Sequence, residues 1–395
     1  MSGTRALYLD YAATTPVDAR VAARMVAALG VEGEYGNPAS LHGYGSAARA
    51  LVERARAQVA ALLGARAPDI TFTSGATESA NLAILGYVRG ARARAGGAPL
   101  HVVSSRTEHK AVLDPCRQLE REGCELTWLS PGASGRIEAT QLEAALRPGT
   151  ALVALMHANN ETGHVQDVAA FGALCRTHGA ALFVDAAQSA GKLAIDVEAM
   201  GIDLLALTAH KFYGPKGSGA LYVRTSRRGL VQPLAHGGGH ERGLRPGTLP
   251  THQVVGLGAA SEFAAAGREA AQARLAPLRA RLWAGLADLP GALQNGSESL
   301  CLPGLLNVSF AGVEGESLLL GLPELAVSTG SACNSDNDEP SYVLRALGRD
   351  RETAQSSLRF SLGAATTEAD IDLAVAAVRR EVLRLRAVAG HGQRP

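Results

Sequence analysis

Apolar positions fall into two textures along the chain. From Thr15 to about Pro250, short apolar runs alternate with stretches of helical period. Thr15-Pro16 followed by Val17, Val21, Met25 and Leu29 predicts a capped amphipathic helix, and residues 46–63 predict a second, stopped by Gly64. Strands are then expected over 70–73, 101–105, 151–157, 181–185, 204–208 and 220–223. Helices are expected between them over 78–88, about 111–122 and 168–178. Short buried strands alternating with helices imply an α/β domain with a mostly parallel central sheet flanked by helices. Beyond Thr251 the pattern changes. A long Ala/Arg/Leu-rich helical stretch reaches about Leu289, strands are expected over 305–310, 325–328 and 358–362, and a last helix runs from Thr367 to about Val388. This predicts a smaller α+β domain. Residues 16–262 are assigned to the large domain, and residues 1–15 with 263–395 to the small one.

Composition narrows the function classes. Apolar residues make up 47% and charged residues 19% of the 395, enough for a sizeable core and against disorder. A net charge of +1 argues against nucleic-acid binding, which needs a clustered basic excess. Apolar runs are too short for a membrane span, and the start of the chain has no basic-then-apolar signal layout. The 5 cysteines contain no CxxC pair, so no metal site is expected and a reduced, cytoplasmic protein is. Only Lys110, Lys192, Lys211 and Lys216 supply side-chain amines, because every other basic residue of the Lys+Arg total is arginine. Arginine can neither form a Schiff base nor lose its proton in a protein.

Candidate chemistry sits where strands end. Phe72-Thr73-Ser74-Gly75-Ala76-Thr77-Glu78 runs from a strand through a small-residue turn into a helix. That arrangement suits a phosphate cradle, and equally an ordinary helix cap. Asp185 follows four apolar strand residues, where a carboxylate needs a partner: a protonated pyridine nitrogen, a helix terminus or an internal salt bridge. Lys211 lies just past the 204–208 strand, placed for amine chemistry, whereas Lys110, Lys192 and Lys216 read as solvated. Together, cradle, aspartate and lysine are the parts a pyridoxal 5'-phosphate enzyme needs. No GxxxxGK[ST], GxGxxG after a strand, or HExxH is present. Cys333 stands in a polar stretch from Ser328 to Pro340, a setting for a reactive thiol, whereas Cys116, Cys124, Cys175 and Cys301 read as core or neutral.

These residues, with Tyr8–Pro16, Gly36–Ser40, Thr107–Val112, Asn159–Gly163, His236–Gly243 and Glu339-Pro340-Ser341, resemble the cysteine desulfurases of the IscS/NifS type. That group lies within the class-V aminotransferases of fold-type I, and the resemblance covers nearly the whole chain. It implies that Lys211 bears pyridoxal phosphate, Asp185 pairs with the ring nitrogen, Gln188 meets the ring hydroxyl, and His109 stacks on the ring and moves protons. It further implies that Ala76, Thr77, Thr208 and His210 hold the phosphate, with Thr248 reaching in from the second subunit of a homodimer. Asn160 and Arg359 are implied to grip the substrate carboxylate, and Cys333 to accept sulfur from L-cysteine and pass it as a persulfide to an acceptor protein such as an iron–sulfur scaffold or thiolation protein. Cys333 is also left open as a transient iron–sulfur ligand. The neighbouring alternative is a selenocysteine lyase or another class-V transaminase. Three features depart from the pattern: Ala187 and Ala209 replace Thr and Gly/Ser, residues 334–338 are acidic, and the chain ends soon after its last helix, without the extension IscS-type members use to dock the scaffold.

Overall fold

The computed structural model describes residues 6–296, 299–329 and 339–391. Its strands in chain order are β1 (Leu7–Tyr8), β2 (Ile70–Thr73), β3 (His101–Ser105), β4 (Glu125–Leu129), β5 (Thr150–Met156) and β6 (Ala181–Asp185). They continue with β7 (Leu204–Thr208), β8 (Gly219–Val223), β9 (Ala292–Asn295), β10 (Leu305–Phe310), β11 (Leu325–Ala326) and β12 (Ser357–Ser361). Seven strands form the central sheet in the order β2-β8-β7-β6-β5-β3-β4. Only β8 runs antiparallel to its neighbours. The sheet is therefore the mostly parallel, helix-flanked one that the alternating pattern predicts.

Burial on both faces explains the continuous apolar runs. Val153, Leu155, Leu182, Val184, Leu205 and Leu207 turn toward one core with Val52, Phe171 and Leu257. Their neighbours Leu152, Ala154, Ala181, Phe183, Leu204 and Ala206 turn toward the other with Ile84, Val88 and Leu119. A third core joins Leu9, Leu286, Val308, Phe310, Phe360 and Val378 around the antiparallel sheet β12-β10-β9. β1 pairs with β11, and Leu9 is completely buried in this third core. No helix among the described residues is long and apolar enough to cross a membrane.

Strands expected at 70–73, 101–105, 181–185, 204–208 and 305–310, and the helix at 168–178, form with those bounds. The first helix does not start at Thr15-Pro16. It runs Ala19–Val26, capped by Asp18, whose carboxylate accepts from the Arg20 N–H. Thr15 is used elsewhere: its hydroxyl donates to the His210 carbonyl and accepts from the Tyr213 N–H. The helix expected over 78–88 extends to Ala76–Asn81 and Tyr87–Arg94, joined by a π-helical turn at Leu82–Gly86. β4 and the helix Ala139–Ala145 lack a sequence signal, because β4 lies on the sheet edge and is not buried throughout. The strand expected over 325–328 stops at Ala326, and Ser328 instead exchanges backbone hydrogen bonds with Arg359.

One buried ion pair ties a long loop to the sheet. Glu241 accepts from both Arg56 Nη1 and Nη2 at 2.8 Å, and Arg56 Nη1 also donates to the Ile70 carbonyl at 2.9 Å. The same carboxylate accepts the Phe72 N–H of β2 at 2.8 Å. Glu241 and Arg242 both hold positive φ, of 48° and 58°, so the pair restrains a strained turn. Removing one partner leaves a buried charge uncompensated. Glu241→Ala is expected to lower unfolding free energy by ~3–5 kcal/mol, read from chemical denaturation.

Candidate active site

Parallel pairing brings the chemistry to one edge. β5, β6 and β7 run parallel, with Met156 opposite Asp185 and Asp185 opposite Ala206. Their carboxyl ends therefore deliver Ala158, Asp185 and Thr208 to the same rim, where open α/β sheets bind ligands. A cavity of about 520 Å³ opens there. Its lining includes Ala76, Thr77, His109, Asn160, Asp185, Gln188, Thr208, His210, Lys211 and Arg359, ten residues singled out from the sequence. Two others are not among them. Thr248 is exposed and does not line the cavity of its own chain. Cys333 lies outside the described residues.

Lys211 sits in the 3-10 turn Ala209–Lys211 directly after β7. Its Nζ donates to the carbonyls of Ala12, at 2.6 Å, and Ala13, at 2.8 Å. The N-terminal segment thus reaches over from β1 to hold the amine. Two residues on, Tyr213 takes a φ of 67°. Its N–H donates to Thr15 Oγ1, its carbonyl accepts from the Asp18 N–H, and its hydroxyl accepts from the Ala364 N–H. Three bonds hold a conformation that costs a non-glycine residue about 1 kcal/mol or more, and the Lys211 turn is set by them.

Asp185 is 5% exposed, and its Oδ1 accepts from the Ala187 N–H at 2.8 Å. Burial pushes its carboxyl above the usual range, although the Ala187 N–H, His109 and Lys211 oppose the shift. It forms no salt bridge among the described residues, so a cationic ring nitrogen is a partner it lacks. His109 caps the helix Lys110–Arg121, and its Nδ1 accepts from the Ala111 N–H at 3.1 Å. An accepting Nδ1 leaves the neutral ring's proton on Nε2. The carboxamide of Gln188 donates to the Ala12 carbonyl at 2.8 Å.

The Ser74–Thr77 turn, Thr208, His210 and Lys216 also line the cavity. Gly75 has a φ of 155°, and a Cβ on Gly219 of β8 would lie 2.6 Å from the Gly75 Cα. Glycine at both positions lets the cradle lie flat on the sheet. Burial and the nearby Lys211, Lys216 and Lys192 pull His210 down to about 4, so its ring is neutral at pH 7.

Arg359 splits its guanidinium: Nη1 donates to the Asn160 carbonyl at 2.9 Å and Nη2 to Asp10 Oδ1 at 2.7 Å. Among the described residues its Nε and Asn160 Oδ1 are buried without a hydrogen-bond partner. Orphaned polar atoms at one end of a cavity mark the place of a polar ligand.

Other residues of the site escaped the sequence reading. Glu108 is fully shielded, and burial raises its carboxyl well above the usual range. One oxygen accepts the Met156 N–H and the other has no hydrogen-bond partner among the described residues. Glu161, pushed up to about 7 by burial, accepts from the Ser341 hydroxyl. The Tyr342 hydroxyl donates to the Glu108 carbonyl at 2.8 Å. The chain from Ser341 onward is thus pinned to the site wall. Glu108 and Glu161 lie inside Thr107–Val112 and Asn159–Gly163, but nothing in those strings distinguishes a wall residue from a contact. Lys192 corrects an expectation: its Nζ donates to Gln188 Oε1 at 3.0 Å, so it is not a solvated lysine. Cys116, Cys124 and Cys175 are buried as expected, and burial pushes the Cys116 and Cys175 thiols up to about 12.

The donor set fits pyridoxal phosphate. Lys211 supplies the amine an aldehyde requires, Asp185 the buried acid for a ring nitrogen, and the Ala76/Thr77 helix start with Thr208 the N–H and hydroxyl donors for a phosphate. Lys211→Arg keeps the charge and is expected to abolish covalent cofactor attachment. Borohydride reduction followed by intact mass measurement should label the wild-type chain and leave the variant unlabelled.

Comparison with known proteins agrees with this geometry. The family described as Aminotransferase class-V matches residues 7–374. A cysteine desulfurase IscS of Aeromonas hydrophila subsp. hydrophila is 54% identical over 381 residues, covering 96% of this chain and 93% of the relative. A solved NifS-like protein superposes with a TM-score of 0.87 at 34% identity, covering 96% of this chain and 99% of its own. SspA, solved in complex with cysteine, superposes with a TM-score of 0.78 at 38% identity, over 90% of this chain and 98% of its own. On the match across nearly its whole length, the chain belongs to the class-V aminotransferase family of pyridoxal-phosphate enzymes.

Proposed function

We propose that the protein is a cysteine desulfurase: it converts L-cysteine to L-alanine and moves the sulfur to Cys333. The observation that carries the reading is the cavity that joins Lys211, Asp185 and His109 to Asn160 and Arg359, together with IscS relatives at 54% identity. When bound, pyridoxal phosphate supplies an electron sink for the carbon that loses a proton. Lys211 would hold the aldehyde, and its Nζ is the amine that would take the α-proton. Asp185, from its buried position, would keep a ring nitrogen protonated. The substrate carboxylate is received by Arg359, whose Nε has no partner among the described residues, and by Asn160. His109 carries a movable proton at Nε2. The Cys333 thiolate attacks the substrate sulfur, so an S–S bond forms as the C–S bond breaks. The electron pair stays with carbon, which is protonated to give alanine. Ser341 and Tyr342, bonded to Glu161 and Glu108, anchor the chain just beyond the Cys333 segment.

The reading extends to organisation. Residues 16–262 form the cofactor domain, and 1–15 with 263–395 the smaller one; supporting this, Leu9 packs with Phe360 in the third core. The working unit is a homodimer, supported by a run of exposed apolar side chains at Val26, Leu29, Val31, Tyr35, Leu41 and Tyr44. Leu41 is 92% and Val31 85% exposed, far more than an isolated chain favours for consecutive segments. A second copy covering this face is the means by which Thr248 reaches the partner's cradle. Cys116, Cys124 and Cys175 are buried free thiols, which accords with the cytoplasm. The persulfide then passes to an acceptor protein in iron–sulfur assembly or another thiolation pathway.

Two outcomes are expected. Wild-type protein given L-cysteine and a thiol reductant should release equal amounts of alanine and sulfide, and Cys333→Ser should lower both by at least about a hundredfold while keeping the bound chromophore. Unchanged rates would remove Cys333 from the mechanism. Val31→Asp with Leu41→Asp should give a monomer by light scattering and weaken cofactor retention.

A further inference from the structure

Three donors meet near one carbonyl. Gln188 Nε2 and Lys211 Nζ both donate to the Ala12 carbonyl, and behind Gln188 the Lys192 Nζ donates to its Oε1 at 3.0 Å. We infer that Lys192 is a positioning residue for the cofactor, which acts by fixing the orientation of the Gln188 carboxamide. The inference rests on the proposed contact between Gln188 and the ring hydroxyl.

A carboxamide can rotate by half a turn and exchange its oxygen with its NH₂, so its orientation is decided by its partners. Lysine has donors and no acceptor, and a backbone carbonyl accepts only. Lys192 therefore demands oxygen on its side, and Ala12 demands NH₂ on the other. Only one orientation satisfies both. It commits one Gln188 N–H to Ala12 and leaves the second as a donor for a ring oxygen. In the reverse orientation, NH₂ would face the ammonium and oxygen would face the Ala12 carbonyl, two repulsive contacts in a buried place.

The fold holds Lys192 where this works. Gly191 has a φ of 75°, and a Cβ there would lie 2.9 Å from the Phe212 Cβ, so the turn before Lys192 packs against the residue after Lys211. The Lys192 carbonyl accepts from Gln272 Nε2 at 2.5 Å, which ties it to the long helix Thr251–Ala284. Lys192 and Gln188 are both in the stretch between β6 and β7, four positions apart. Lys192 also lines a second cavity of about 400 Å³ on the far side of Lys211. Burial, with Lys211 and Arg359 nearby, pulls its amine down to about 7, so the donor-only ammonium fixes the carboxamide below that pH and its hold weakens above it, where the neutral amine can also accept.

A double-mutant cycle in holoenzyme tests this, using Lys192→Met, Gln188→Ala and both together. The readouts are the pH midpoint of the bound chromophore's absorbance and the rate of cofactor loss on dilution. Gln188→Ala should raise the midpoint, because one donor fewer supports negative charge on the ring oxygen. Lys192→Met should raise it too, and speed cofactor loss roughly tenfold, the scale of outer-shell partners. In the Gln188→Ala background it should add nothing, because it acts through Gln188. Lys192→Arg retains a donor and should restore wild-type values. If Lys192→Met does not fold, Lys192→Gln serves, since an amide can donate or accept and no longer fixes the orientation. An unshifted Gln188→Ala midpoint would overturn the Gln188 contact and this inference with it. A shifted Gln188→Ala with unshifted Lys192→Met, or with additive effects, overturns the role of Lys192 alone.

Discussion

Everything in the site depends on the parallel pairing of β6 with β7. It sets Asp185 opposite Ala206, so the strand that carries the acid and the strand that leads to the amine end on the same rim. Parallel strands cannot be joined by a tight turn. The connection between them instead contributes Gln188 and Lys192 before the chain re-enters the sheet. A shift of one residue in this register would turn Asp185 to the opposite face and into an apolar core. The leucines and valines that alternate toward the two cores prevent that shift, so hydrophobic packing and the placement of the charged groups are one constraint.

The N-terminal segment carries this constraint to the smaller sheet. Ala12 accepts from Gln188 and Lys211 through its carbonyl, and its N–H donates to Ser361 Oγ of β12 at 2.8 Å. Tyr11 N–H donates to the Ser361 carbonyl, and Tyr8 hydroxyl donates to the Thr14 carbonyl at 2.8 Å. Arg359, on the same strand β12, is held by Asp10. A displacement of the small sheet therefore moves Arg359 together with the carbonyls that hold the Lys211 amine.

Charge is rationed within the cavity. Glu161 and His210 are shifted by burial toward their neutral forms, in opposite pKa directions. Arg359 keeps a partner in Asp10.

Much of this was legible in the chain. Ile70–Thr73, His101–Ser105, Ala181–Asp185 and Leu204–Thr208 are buried throughout, and the last two are mainly apolar runs, a signal carried by local composition. Asp185, Lys211 and the Ser74–Thr77 turn stood out because a polar residue directly after such a run has few other reasons to be there. β4 was not legible, since an edge strand buries only part of its surface. Nor were the roles of Glu108, Glu161, Ser341, Tyr342 and Lys192. Each depends on a partner distant in sequence or on burial, and a side chain's protonation and orientation follow from what surrounds it. The order of strands, helices and reactive side chains was thus determined by the sequence, through local periodicity and residue chemistry. Which lysine is solvated, which carboxyl is neutral and which way Gln188 faces were decided only by the tertiary structure, because desolvation and donor–acceptor matching exist only once distant segments meet.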